Sequence, residues 1–337
     1  MNVIVRPVIA ADESQLLALA DLLDTVNLPD DPVVVRGIIA KSERAFATLA
    51  QPDPTFDHRH AHYTLVAVEG DRLLGTASVF AFHGMPEEPH YFLRVEQEVR
   101  HSNQLNADRT RTLLRLGRDI EPWTELGGLV VHPDSRGKGV GKLLLAARLL
   151  LVAMHRGRFC VRLLAELLPP RRENGGNAFW DAVGGPLTGL DYYRADLLCR
   201  TDKEFIEAFF PHDQLTAELL PPEARALIGQ EGPATTPVRA LLKRAGFKWL
   251  GTIDPFDAGP HDGAELKDIG PIQRSRELVR LDLPPDAAHG AAEQRLVASA
   301  ADHVFRAEPC VIAGRGIRLA GDGPAAGEPL WVMPLDW

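Results

Sequence analysis

The stretch Glu125-Leu-Gly-Gly-Leu-Val-Val-His-Pro-Asp-Ser-Arg-Gly-Lys-Gly-Val-Gly-Lys-Leu-Leu-Leu-Ala-Ala-Arg148 constrains the fold more than any other part of the chain. Leu126 to Val131 is an apolar, β-branched run too short for a buried helix, and His132-Pro133-Asp134 ends it because proline cannot extend a ladder. From Lys142 the apolar residues Leu143, Leu144, Ala147, Leu150 and Leu151 recur at helical spacing. Between strand and helix lies Arg136-Gly137-Lys138-Gly139-Val140-Gly141, whose glycines permit positive φ angles and close approach of a ligand to the backbone. Such a turn leaves N–H groups unpaired at the positive end of a helix dipole, and Arg136 and Lys138 add charge. The stretch therefore predicts a pyrophosphate cradle. It is not a Walker loop, because Leu143 follows Lys142 where Ser or Thr is required, and its glycines fall at every second position, unlike a dinucleotide fingerprint. An ordinary strand-to-helix turn with surface cations is the plainer alternative.

With 337 residues the chain can bury one large or two medium cores. Its net charge of -9 argues against non-specific nucleic-acid binding, which requires a basic surface. Cys160, Cys199 and Cys310 are odd in number, widely spaced and lack Cys-x-x-Cys spacing. They imply a reduced, cytoplasmic protein with neither a disulfide framework nor a zinc site. The N-terminus carries no signal-peptide pattern, and the longest apolar stretch, Leu143 to Met154, is interrupted by Arg148 and too short for a bilayer. No membrane or nucleic-acid partner is expected.

Along the chain, Val3 to Val5 reads as a first strand, and Asp12 as the N-cap of a helix carrying Leu16, Leu19, Leu22 and Leu23. A polar stretch follows near Asn27 to Pro32, then a helix over about Val33 to Leu49. Two strands, Tyr63 to Glu69 and Arg72 to Phe80, are joined at Gly70-Asp71. Residues 83–124 show strand character only near Tyr91 to Val95. Phe159 to Glu166 reads as a strand. Helices are expected over Asn177 to Val183, Lys203 to Phe210, Pro222 to Ile228 and Pro237 to Ala245, and a strand from Gly246 to Gly251. The Pro, Ala and Gly-rich run Leu283 to Ala292 reads as a boundary. Beyond it come strands at Glu308 to Ala313, Gly316 to Leu319 and Leu330 to Met333.

The turn Arg136-x-x-Gly139-x-Gly141 resembles that of the GCN5-related N-acyltransferases, where it holds the coenzyme A pyrophosphate and the preceding strand pairs with the pantetheine arm. The resemblance implies an α/β (α+β) fold with a mixed central sheet flanked by helices. It also sets a domain plan: an acyltransferase domain over 1–282, with an inserted helical segment at about 170–234, and a small C-terminal β segment at 293–337. A closer resemblance, to the arginine N-succinyltransferase family, is carried by blocks in order along nearly the whole chain. They are Val5-Arg-Pro-Val, Leu93-Arg-Val, Glu125-Leu, His132-Pro-Asp-Ser-Arg, Ala178-Phe-Trp, Ala195-Asp196, Phe205-Ile206, Leu220-Pro-Pro-Glu-Ala-Arg-Ala-Leu-Ile-Gly-Gln, Ala245-Gly-Phe and Phe256-Asp-Ala-Gly-Pro. It implies succinyl-CoA as acyl donor, the α-amino group of arginine or ornithine as acceptor, and a homo- or hetero-oligomer. The family's succinyl-CoA contact maps to Leu129.

Three departures bear on mechanism. The family reads Ile-Gly-Gln-x-His-Pro, with the histidine as proton donor, where this chain has Ile228-Gly-Gln-Glu-Gly232-Pro. The family's Val-His is Val99-Arg100 here, with His101 one place later. The cysteine and threonine usual after Glu-Leu are Gly127 and Gly128. Acyl transfer needs a deprotonated amine beside the thioester, donors for the oxyanion and a proton for the thiolate. Backbone N–H groups of Leu129, Val130 and Val131 are candidates for polarising the carbonyl. Glu125 is the candidate base, or a substrate ammonium anchor, and Glu231 and His101 are substitutes for the lost histidine. Asp254 and Asp257 are candidates to hold a guanidinium, or to cap a turn, and Arg94 to meet a carboxylate. By the same resemblance, Gly137, Lys138, Gly139, Val140 and Gly141 with Arg136 are the candidate coenzyme A turn. His58-Arg-His60-Ala-His62 has metal-compatible spacing if extended but no evident fourth ligand, and no metal is expected. Two alternatives stand beside arginine succinylation: an acyltransferase for a different amine, and a non-catalytic regulatory subunit that binds coenzyme A or an amino acid.

Overall fold

Two adjacent strands are buried almost without interruption from Tyr63 to Val68 and from Leu73 to Val79, the burial of strands covered on both faces. They lie at the middle of a mixed sheet in a computed structural model that describes residues 3–21, 28, 30–172, 176–199, 203–279, 293–299, 305–313, 316–319 and 329–337. The chain enters through β1 (Ile4–Pro7), α1 (Glu13–Asp21) and α2 (Pro32–Ala50) before these central strands, β2 (His62–Glu69) and β3 (Arg72–His83). Asp12 is not a simple N-cap: it ends a 3-10 turn, accepts from the Ile9 N–H at 2.9 Å and pairs with Arg6 at 2.7 Å. Leu22, Leu23 and Asn27 lie outside the described residues.

Residues 83–124 form more structure than their sequence suggests. They contain the long hairpin β4 (His90–Ser102) and β5 (Ala107–Asp119), paired from His90↔Asp119 to Ser102↔Ala107. Of the expected strand Leu126 to Val131 only β7 (Val130–Val131) forms; a separate strand, β6 (Trp123–Glu125), precedes it, and Leu126 to Leu129 between them are irregular. After it come α3 (Val140–Met154) and β8 (Arg162–Glu166). Helix α3 is buried on nearly every side from Leu143 to Ala153, which makes it a core helix.

The segment expected as an insertion holds α4 (Ala178–Ala182), α5 (Gly184–Thr188), α6 (Tyr192–Cys199), α7 (Glu204–Phe209), β9 (Gln214–Thr216) and α8 (Pro222–Arg225). Phe179, Trp180, Phe205 and Phe210 from this segment form their own cluster with Tyr91, Leu93 and Leu114 of the hairpin. The closing unit is α9 (Thr236–Ala245), β10 (Lys248–Ile253), β11 (Pro260–Glu265), α10 (Gly270–Gln273) and β12 (Arg276–Val279). Residues 283–292 lie outside the described residues; β13 (Glu293–Ser299), β14 (Arg306–Ala313), β15 (Gly316–Leu319) and β16 (Pro329–Pro334) follow. The strand order is β12-β16-β13-β14-β1-β2-β3-β6-β8-β11-β10-β4-β5-β9, with β15 on β14 and β7 on β3. Among the described residues all pairs are antiparallel except β6–β8, which is the parallel pair a mixed α/β sheet requires.

Candidate active site

The parallel pair is where the sheet opens. Thr124 and Glu125 face Leu163 and Leu164, and the Leu126 N–H still reaches the Leu164 carbonyl at 2.8 Å. Beyond that point β7 stays with β3, through Gly75↔Val131 and Thr76↔Val130, while Leu167 turns to Pro260 on the other side. The irregular residues Leu126 to Leu129 hold this split open. Gly128 adopts φ +58, and the Gly127 carbonyl accepts from the Ser78 N–H at 3.0 Å and from Arg148 at 3.3 Å. Arg148 projects from α3, is 1% exposed, and also donates to the Ser78 carbonyl at 3.4 Å. Burial lowers its pKa to about 9. In the sequence this arginine only interrupts an apolar stripe; in the structure it props the split.

The split leads along β7 to the glycine turn. Gly137 and Gly139 adopt φ +73 and +85, and a Cβ built at either meets nothing within 4 Å. Among the described residues, the N–H groups from Gly137 to Lys142 donate to no backbone carbonyl. An open turn with free donors at the N-terminus of a long helix fits a pyrophosphate. Arg136 donates to the Val131 carbonyl at 3.3 Å, and Lys138 is exposed beside it.

Inside the split lies a cavity of about 180 Å³ lined by Glu125, Gly127, Glu166, Asp254 and Asp257, with His90, Tyr91, Lys203 and Phe256. Four carboxylates in so small a space cannot all ionise easily. Burial and the repulsion of Glu166 push Glu125 up to about 8, and the same two causes push Asp254 up to about 6. Burial, then Asp254, holds Asp257 well above the usual carboxylate range. Glu166 goes the other way: against the cost of burial, His90, His261 and His83 keep it well below that range. His90 is opposed by burial but raised to about 9 by Asp119 and Glu166. The cavity thus gathers carboxyl groups of both kinds, with Glu125 and Asp257 held toward the protonated form and Glu166 toward the ionised one beside His90.

A sequence profile of the family described as "Arginine N-succinyltransferase beta subunit" matches residues 3–271. The chain belongs to the arginine N-succinyltransferase family. A subunit beta of arginine N-succinyltransferase from Pseudomonas aeruginosa is 34% identical over 338 residues, covering 98% of this chain and 94% of that one. An arginine N-succinyltransferase of Escherichia coli is 31% identical over 304 residues, 90% and 87% of the two chains. The solved structure of an arginine/ornithine succinyltransferase subunit AI from Pseudomonas aeruginosa superposes with a TM-score of 0.82 at 27% identity, covering 100% of this chain and 99% of that chain. A member of this family is an acyl-CoA-dependent N-acyltransferase, and the mixed sheet with flanking helices is the expected α/β fold.

The family resemblance draws some of its candidates together and leaves others apart. Glu125, Asp254 and Asp257 line one cavity. The two aspartates also cap their own turn: Asp254 accepts from Phe256 and Asp257 N–H groups at 2.7 and 3.1 Å, and Asp257 from Gly259 at 2.8 Å. Glu231 does not line the cavity. It pairs with Arg239, which also grips the fully buried Asp262 at 3.0 Å, and its own N–H together with that guanidinium holds it ionised, a poor proton donor. His101 sits at the far end of the β4–β5 hairpin, exposed and 2.8 Å from Asp108. Arg94 is exposed with its guanidinium over the Phe92 ring. His58 and His60 belong to an exposed 3-10 turn, while His62 stacks on Phe80 in β2, so the three share no extended face. Sequence reasoning missed Glu166, His83, His90, His261 and Lys203, which arrive from separate elements with no local motif. Among the described residues no helix is long and apolar enough to cross a membrane.

Proposed function

We propose that this protein transfers a succinyl group from succinyl-CoA to the α-amino group of arginine. The observation that supports it best is the carboxylate-lined cavity at the split between β6 and β8, which suits a small substrate carrying both an ammonium and a guanidinium. Asp254 and Asp257 are assigned to the guanidinium, a group that pairs well with carboxylates. Arg136 to Gly141 take the coenzyme A pyrophosphate, and the unpaired side of β7 takes the pantetheine arm, bringing the thioester past Leu129 to Val131. Glu125 removes a proton from the ammonium; the amine nitrogen bonds to the thioester carbon, the oxyanion collapses and the C–S bond breaks. As the intermediate collapses, its nitrogen gives up a second proton to water, leaving the neutral amide, and the departing thiolate takes the first proton from Glu125, so one residue serves as base and then acid. Relatives named as subunits support assembly into a homo- or hetero-oligomer, and the exposed Val99 and Leu105 near the hairpin tip offer apolar surface for it.

The test is thiol release from succinyl-CoA and acetyl-CoA against a panel of amines that includes arginine and ornithine. Turnover with succinyl-CoA and arginine is expected, and E125Q should lower kcat by roughly 10²- to 10⁴-fold, the usual worth of a general base. Turnover only with another amine would reject the acceptor. Coenzyme A binding without turnover on any amine would favour the regulatory subunit, a reading motivated by Gly232 at the family's histidine position.

A further inference from the structure

The acyl transfer leaves without a task a histidine cluster in which His90 lines the cavity and His83 and His261 pack against its ring at centroid distances of 4.8 and 5.1 Å. His83 ends β3, His90 begins β4, His261 lies in β11 and Glu166 ends β8, so four strands converge here. Each imidazole has its Nδ1 turned to an oxygen: His83 to Glu125 Oε2 at 3.4 Å, His90 to Asp119 Oδ2 at 3.4 Å, His261 to Thr252 Oγ1 at 3.3 Å. Each has its Nε2 buried with no hydrogen-bond partner among the described residues. His90 is 4% and His261 0% exposed. The Nε2 atoms of His90 and His83 stand 3.0 and 3.6 Å from the same Glu166 Oε1, close enough for attraction but not aligned as hydrogen bonds.

An imidazole oriented through one nitrogen by an oxygen, with the other nitrogen unpartnered, is the arrangement found around protein-bound metals. Ligand atoms of His83, His90 and Glu166 lie within 4.8 Å of one another, and those of Glu166, Asp254 and His261 form an adjoining group about the same carboxylate. We propose that Nε2 of His83, Nε2 of His90 and the Glu166 carboxylate bind one divalent transition-metal ion of the zinc class. Two imidazoles and a carboxylate without a thiolate suit that class, and three protein ligands leave a fourth position for water or a substrate atom. Asp119, which also accepts from the Trp123 indole at 3.1 Å, is the orienting partner of His90.

The test is independent of turnover. The full chain is stripped with a chelator, dialysed against zinc chloride and assayed by elemental analysis, and cobalt(II) is added in parallel to read its visible absorption. About one equivalent of zinc and a tetrahedral cobalt spectrum are expected. H83A/H90A should lose both, and D119N, which keeps every ligand, should weaken zinc binding by about 10- to 100-fold. H58A/H60A, which removes the two histidines of the 3-10 turn before β2, should change neither. Zinc binding that disappears in H58A/H60A, that survives unchanged in a folded H83A/H90A, or that is absent from the unmutated chain would overturn the site.

Discussion

Gly232 stands where the family resemblance places a proton-donating histidine, and its surroundings leave no room for one. A Cβ on Gly232 would lie 2.7 Å from the Pro169 carbonyl oxygen, and its N–H already donates to the Leu168 carbonyl at 2.9 Å. Both neighbours are backbone, so neither can rotate aside. G232H is therefore expected to cost about 1–3 kcal/mol in urea denaturation through overpacking and to bring no gain in thiol release. A stable G232H with tenfold higher kcat would show that the position is still open to a catalytic side chain. At this scale the place of Glu125 in the cavity was legible, because it opens the apolar run Leu126 to Val131 that leads toward the glycine turn. Glu166 and the three histidines were not, because proximity between β3, β4, β8 and β11 is created by the sheet order, which no local spacing encodes. Glu231 shows the converse: its adjacency to Gly232 in sequence suggested a substitute acid, and Arg239 commits it instead to an ion pair.

Among the elements, the strand-turn-helix unit was readable and its interruption was not. The run Leu126 to Val131 has strand composition throughout, yet Gly127 and Gly128 allow the chain to leave β8. Gly127 also permits close packing, since a Cβ there would lie 2.8 Å from both Glu125 Oε1 and the Phe80 ring. The turn beyond is a different case, with open space around its glycines. At Gly139, φ +85 is a conformation that β-branched residues avoid. G139V should lower coenzyme A affinity at least tenfold, measured by calorimetry, by reshaping the turn and covering its free N–H groups. The accompanying strain is on the order of 1–3 kcal/mol, so the fold survives in a protein of ordinary stability. Unchanged affinity in a folded G139V would remove the pyrophosphate from this turn.

For the molecule as a whole, the domain plan read from the sequence meets a continuous sheet. β14 pairs with β1 at Val5↔Ala307, and β13 and β16 extend the same sheet. The last described residues return to the start of α3 beside the glycine turn: Trp337 is 8% exposed in the main core, its indole donates to the Pro334 carbonyl at 2.7 Å, and Lys142 of α3 lies over its ring at 5.2 Å while bonding the Leu335 carbonyl. Strand pairing and a shared core of this kind couple the two ends of the chain, so we propose that residues 293–337 melt with the rest. W337A should cost about 3–5 kcal/mol, and at this chain length that corresponds to a melting temperature lower by several degrees. In calorimetry the single transition should move as a whole, because the lost contacts are shared between α3 and the C-terminal strands. Should W337A instead split off an early transition while the main one stays in place, the C-terminal strands would be a unit that folds on its own, and the sheet would be continuous in geometry but not in energy.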